Sequence, residues 1–220
     1  TFGKSNAVAF DRFGWKYYTG EQFDLFYPAY GDSWPTLNGS IGMTYEQAGG
    51  GRAGLTYRKS NGEILTLVDR LHHQHVAGLA TVECASDHRE KLQREFYSFR
   101  EQTIFAGRTG EVSQFILPPA EDDHRRQALV DLLKRQGIQM VVTMDEVVTE
   151  GLLDHFGNAV GVRKLPAGTI VVPMDQAQGR LAMTLLERDA KVGEAYFYDV
   201  AAWSLPLTFG VETLVAKDPI

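Results

Sequence analysis

Thr66 to about Arg100 reads as one long helix, and this constrains the chain more than any other feature. Val68, Leu71, Leu79 and Val82 fall on one stripe at a period of about 3.6 residues, and Leu92, Phe96 and Phe99 continue the apolar positions. Such a stripe predicts a face buried against another layer. The flanking sequence differs on the two sides. Before the helix the chain is rich in aromatics and glycine; after Gly107-Arg108-Thr109-Gly110 it turns into alternating strand and helix patterns. The expected division is 1–106 and 107–220.

The first segment opens with helix-like sequence from Asn6 to Phe13. Gly31, Asp32, Pro35, Asn38 and Gly39 mark a turn-rich loop over 30–39. Ile41, Met43 and Tyr45 then alternate with Gly42, Thr44 and Glu46, a strand pattern that runs into the loop Gln47 to Gly51. In the second segment Val112 to Leu117 reads as a strand stopped by Pro118-Pro119. Asp122 and Asp123 can cap a helix with Leu129, Leu132 and Leu133 on its apolar face, ended by Gly137. Ile138–Thr143 follows as a strand, which predicts a βαβ unit with parallel pairing. Thr169–Val172 reads as another strand, and Ala177–Arg188 as a helix.

Composition excludes several classes. With 44% hydrophobic and 23% charged residues the 220-residue chain can build a core and is not a disordered one. The net charge of -6, without a Lys/Arg cluster, argues against nucleic-acid binding. No run of about 18 apolar residues exists to span a bilayer. A lone Cys84 rules out an internal disulfide and a cysteine-based zinc cage.

Glu46 is the sharpest candidate for chemistry. On the strand pattern it sits at a carboxyl end, on the side of the small residues Gly42 and Thr44, where a general base would find open space. Spacing alone favours a solvated strand-end carboxylate. Tyr27, before the turn-rich loop, could cover a substrate and donate a hydrogen bond, or belong to an aromatic core cluster with Phe23, Phe26 and Tyr30. Gly49-Gly50-Gly51-Arg52-Ala53-Gly54 has dinucleotide-motif spacing, but strand and turn sequence follows it where that motif needs a helix. Gly31-Asp32-Ser33 lacks the last glycine of a nucleophile elbow, and no helix is expected after it; a turn is the better reading. His72 and His75 share a helix face, yet without a third ligand they read as packed or rim histidines. Cys84 reads as buried and without an activating base.

Taken in order, Phe26-Tyr27-Pro28-Ala29-Tyr30-Gly31-Asp32-Ser33-Trp34, then Gly42-Met43-Thr44-Tyr45-Glu46-Gln47-Ala48-Gly49-Gly50-Gly51-Arg52-Ala53-Gly54, then a Leu-, Ala-, Thr- and Glu-rich helix resemble the last third of the carboxypeptidase A-like zinc metallocarboxypeptidases. The match covers roughly residues 15–100. It implies that Tyr27 is the flap tyrosine, Glu46 the general base acting on a metal-activated water, and Trp34 the floor of the pocket for the substrate's C-terminal side chain. Asp32 nearby leaves a basic preference open. The implied fold is α/β: the C-terminal portion of a carboxypeptidase-like mixed sheet with helices, followed by a small flavodoxin-like or amidotransferase-like α/β accessory domain. That accessory domain has no cysteine nucleophile, and Asp199 to Pro206 is expected to pack back on it.

The family's zinc ligands and substrate-clamping arginines lie upstream of the flap loop, and no histidine precedes Tyr27 here. With a start at Thr1 rather than Met, the expectation is a C-terminal piece of an exported, periplasmic or extracellular parent. Zn2+ is then expected in that parent and no metal in this piece. The expected partners are a peptide substrate and, to cover an exposed sheet edge, another copy of the chain. The alternative is a non-catalytic peptidase remnant joined to an α/β binding module, with a serine hydrolase using Ser33 as a third reading.

Overall fold

The computed structural model describes residues 1–18, 27–47, 56–190 and 203–220. In chain order the elements are α1 (Phe2–Asp11), α2 (Ser33–Leu37), β1 (Tyr57–Arg58), β2 (Ile64–Leu65), α3 (Leu67–Asp87), α4 (Arg89–Thr109), β3 (Gln114–Leu117), α5 (His124–Arg135), β4 (Val141–Val142), β5 (Val147–Thr149), β6 (Leu153–Asp154), β7 (Arg163–Leu165), β8 (Ile170–Pro173), α6 (Gly179–Leu186), α7 (Leu205–Phe209) and β9 (Leu214–Ala216). The mixed helix-and-sheet class is as expected. Two compact units form, Thr1–Gln22 with Met43–Glu95, and Phe23–Gly42 with Phe96–Ile220. The chain passes between the units at Glu95/Phe96, inside α4, and the expected boundary at 106/107 lies further along the same helix. Among the described residues no helix is long and apolar enough to cross a membrane.

In the first unit α1 packs on α3 and buries Phe2 and Phe10. A capping box starts α3: the Thr66 N–H donates to Asp69 Oδ2 at 2.8 Å, and the Asp69 N–H donates to Thr66 Oγ1 at 3.2 Å. The face of α3 that is buried is not the expected one. Ala77, Ala80 and Cys84 are buried, whereas Val68 is 72% and Val82 67% exposed, with Leu71 and Leu79 also outward. Small side chains let the helices approach closely, and the Ser5 hydroxyl donates to the Ala80 carbonyl at 3.4 Å.

The single long helix expected over 66–100 is two helices. His88 closes the first: its backbone N–H bonds the Cys84 carbonyl at 3.1 Å, and its Nδ1 lies 3.0 Å from the same oxygen. Glu90–Arg94 and Lys91–Glu95 pairs, four residues apart, support the first turns of α4.

The second unit holds a five-stranded sheet of order β4-β8-β3-β9-β6, antiparallel at every pairing. The expected parallel βαβ pairing is thereby overturned, and with it the flavodoxin-like sheet. Strands β3 and β4 do run the same way, but β8 lies between them and pairs with both. The strand pattern at 138–143 pointed to β4 but could not show what would pair with it.

Burial along β3 alternates between two clusters. Phe115 and Leu117 face Leu129 and Leu133 of α5 and Leu181 and Leu186 of α6; Ile116 faces Leu152, Leu165 and Leu214. Gly137, at φ 73°, ends α5 as expected. Asp123 precedes that helix without capping it by its side chain. Its carboxylate instead takes the buried Arg126 guanidinium at 2.5 and 2.7 Å. Arg126 also donates to the Leu117 and Gly168 carbonyls, at 3.3 and 3.0 Å.

Two helix glycines separate packing from propensity. A Cβ on Gly107 would overlap the Met174 carbonyl, whereas one on Gly78 would meet nothing within 4 Å. Gly107→Ala is therefore expected to lower the thermal midpoint. Gly78→Ala should raise stability by about 0.8–1 kcal/mol, the helix-propensity difference. Chemical and thermal denaturation of both variants checks the opposite signs.

Candidate functional site

The residues singled out in the sequence fall in both units. Tyr27, Asp32 and Trp34 belong to the second and Glu46 to the first.

The turn-rich loop contains α2, a helix the sequence reading did not expect after Ser33. The Trp34 N–H donates to the Tyr30 carbonyl at 3.0 Å, and the Thr36 hydroxyl to the Asp32 carbonyl at 2.8 Å. Ser33 is 6% exposed, a poor position for a nucleophile that must reach substrate. Tyr27 is half-buried, its ring edge-on to Tyr30 at 5.2 Å and tilted against Trp203 at 6.4 Å. Phe23 and Phe26 lie outside the described residues. Trp34 is 45% exposed, and its indole N–H donates to Gln136 Oε1 at 2.8 Å.

No strand forms over Ile41–Glu46. A strand exists only through a ladder partner, and side chains hold this segment to α3 instead. The Tyr45 hydroxyl pairs with Thr81 Oγ1 at 2.8 Å, Gln74 Nε2 donates to the Tyr45 carbonyl at 3.1 Å, and Gln47 Oε1 lies 2.9 Å from His73 Nδ1. Between these anchors Glu46 is exposed. The small size of Gly42 serves a different end from the expected one: a Cβ there would overlap the Asp32 carbonyl, so glycine permits a close approach to the start of α2 and leaves no open space. The glycine loop with Arg52 lies outside the described residues.

His72 and His73 pack as aromatic rings. Trp15 lies 5.0 Å from the His72 ring and 4.2 Å from the His73 ring, with Phe13 stacked on Trp15 at 4.4 Å. His75 is exposed. Among the described residues no three His, Cys, Asp or Glu side chains come together to hold a metal. Cys84 is buried as expected, with His88 Nδ1 3.9 Å from its sulfur, though that nitrogen lies closer to the Cys84 carbonyl.

Sequence reasoning missed one chemically suggestive pair, His155 Nε2 and Ser204 Oγ, 3.1 Å apart. Nothing in the local pattern links residues so far apart in the chain. A serine–imidazole pair is activated when a third group orients the ring. Here His155 Nδ1 is buried with no hydrogen-bond partner among the described residues, so that third group is not among them.

Comparison with protein-family models, with curated proteins and with solved structures gives no match.

Burial lowers the pKa of both His73 and His155 from the ordinary 6.5, and Arg188 lowers His155 further. The unfolded chain then binds protons before the folded one, so stability is full above pH 6.5 and falls as pH drops from there through the folded values. His73→Phe keeps a ring beside Trp15 and removes one titrating group. It is expected to flatten the fall of the thermal midpoint below pH 6.5, read from melting curves across that range. An unchanged slope would show that His73 does not contribute.

Proposed function

We propose that this chain is the C-terminal part of a zinc-dependent metallocarboxypeptidase that removes C-terminal residues from peptides. What carries the reading is one ordered stretch of sequence: the Tyr27–Trp34 loop, then Gly42 to Glu46, then the Gly-Arg turn. The exposure of Glu46 and the half-exposed Trp34 ring support it, because a base and a pocket floor must both be reachable. Glu46 accepts the proton of the attacking water, Tyr27 donates a hydrogen bond to bound peptide, and Trp34 underlies the C-terminal side chain. The described residues do not fit the zinc, since they assemble no ligand trio. On this reading the metal, the substrate-clamping arginines and the sheet strands that would pair with 41–46 belong to the parent outside this chain. Metal analysis of the 220-residue chain after zinc loading should find no stoichiometric site, and tight zinc lost on His72→Ala or His75→Ala would overturn that assignment.

Glu46→Gln in the full-length parent tests the central residue. Turnover should fall by about 10²–10⁴-fold, the usual share of a general base. An exposed substitution should change stability by no more than about 0.5 kcal/mol. Near-normal turnover in a zinc-loaded parent would show that Glu46 is not the base and that the carry-over from the carboxypeptidase family is wrong at its central residue, whereas a zinc-loaded wild-type parent without turnover would leave the non-catalytic remnant. Cleavage by the parent should favour apolar or aromatic C-terminal residues over acidic ones, with basic residues left open by Asp32.

A further inference from the structure

Helix α2 is only five residues long, too short to hold itself or fix the direction of Trp34. Its support comes from distant sequence within the same unit. Asn38, which ends α2, accepts from Arg100 Nη2 at its carbonyl (2.7 Å) and from Gln178 Nε2 at its side-chain oxygen (2.9 Å). Gln178 Nε2 also donates to the Gln136 carbonyl at 2.9 Å, and Arg100 Nη1 donates to the Ala177 carbonyl at 2.7 Å and to Gln178 Oε1. The next residue, Gly39 at φ 81°, sits so close to Phe99 that a Cβ would come within 2.8 Å of the ring. Leu37 packs on the main core. These contacts fix the backbone of α2. Trp34 itself remains 45% exposed, and among the described residues the bond its indole makes is Nε1–H to Gln136 Oε1 at 2.8 Å.

We infer that Gln136, in the turn after α5, is the positioning residue for Trp34, and that through it the C-terminal segment sets the substrate preference of the enzyme. This rests on the reading of Trp34 as the pocket floor. Gln136→Met removes the acceptor at similar length, and Gln136→Glu retains one.

Two measurements test it. In the 220-residue chain, hydrogen exchange of the Trp34 indole N–H, followed by NMR, should quicken in Gln136→Met and return toward the wild-type rate in Gln136→Glu. In the zinc-loaded parent, Gln136→Met should raise KM for peptides ending in phenylalanine about two- to tenfold, the worth of one hydrogen bond, with kcat little changed. Trp34→Phe lacks the donor, so adding Gln136→Met to it should have no further effect on KM. An additive double variant, or an unchanged KM for Gln136→Met in an active parent, overturns the inference and leaves the peptidase reading standing. A wild-type, zinc-loaded parent that removes no C-terminal residue defeats the reading, and the inference falls with it.

Discussion

The second unit depends on a close approach at the Met174 carbonyl. This oxygen faces both Gly107 of α4 and Gly179 at the start of α6, and neither position has room for a Cβ. The Met174 N–H bonds the Ser113 carbonyl at 2.8 Å, which ties the same residue to the chain entering β3. One residue thus sits at the joint of two helices with the central strands, and Thr103 lies buried beside it. With α4 held there, Phe96, Phe99 and Arg100 face the residues that follow α2. The loop bearing Tyr27 and Trp34 therefore belongs to the same unit as the sheet, although β1, β2, α3 and the start of α4 intervene in sequence.

This explains which parts of the fold were legible in the sequence. Helix α5 was, because Leu129, Leu132 and Leu133 repeat at helical spacing and Gly137 supplies a left-handed stop. Strands β3 and β8 were, because their apolar runs are bounded by turn residues. Pairing was not, since β8 reaches its place between β3 and β4 only after the β5–β7 and β6 excursions, and no local pattern records a non-local ladder. The buried face of α3 was misread for a related reason. Hydrophobicity pointed to Val68, Leu71, Leu79 and Val82, but α1 needs a shallow surface, and alanines provide it. Closeness of approach decided that face, not side-chain transfer energy.

The candidate site was legible as residue types and not as geometry. Glu46 stood out by its small neighbours, yet Gly42 is small because the Asp32 carbonyl is close. Gln136, Gln178 and Arg100 carry no sequence signal, since an amide or guanidinium is conspicuous only when its distant partner is known. Asn38 meets Gln178 from 140 positions away.

The segment 41–47 shows what a strand pattern becomes without a ladder. Tyr45 and Gln47 turn to α3 and Glu46 turns to solvent, so the two-residue alternation survives over 45–47, whereas Ile41 and Met43 are exposed and backbone pairing is lost. Side-chain bonds to Thr81, Gln74 and His73 replace the interstrand ones. The same alternation suits a sheet: paired on one edge, such a strand would keep one face against a helix and present Glu46 on the other. A ladder there would have to displace the bond from Gln74 Nε2 wherever it needed the Tyr45 carbonyl, and would have to cover Ile41 and Met43, both exposed here.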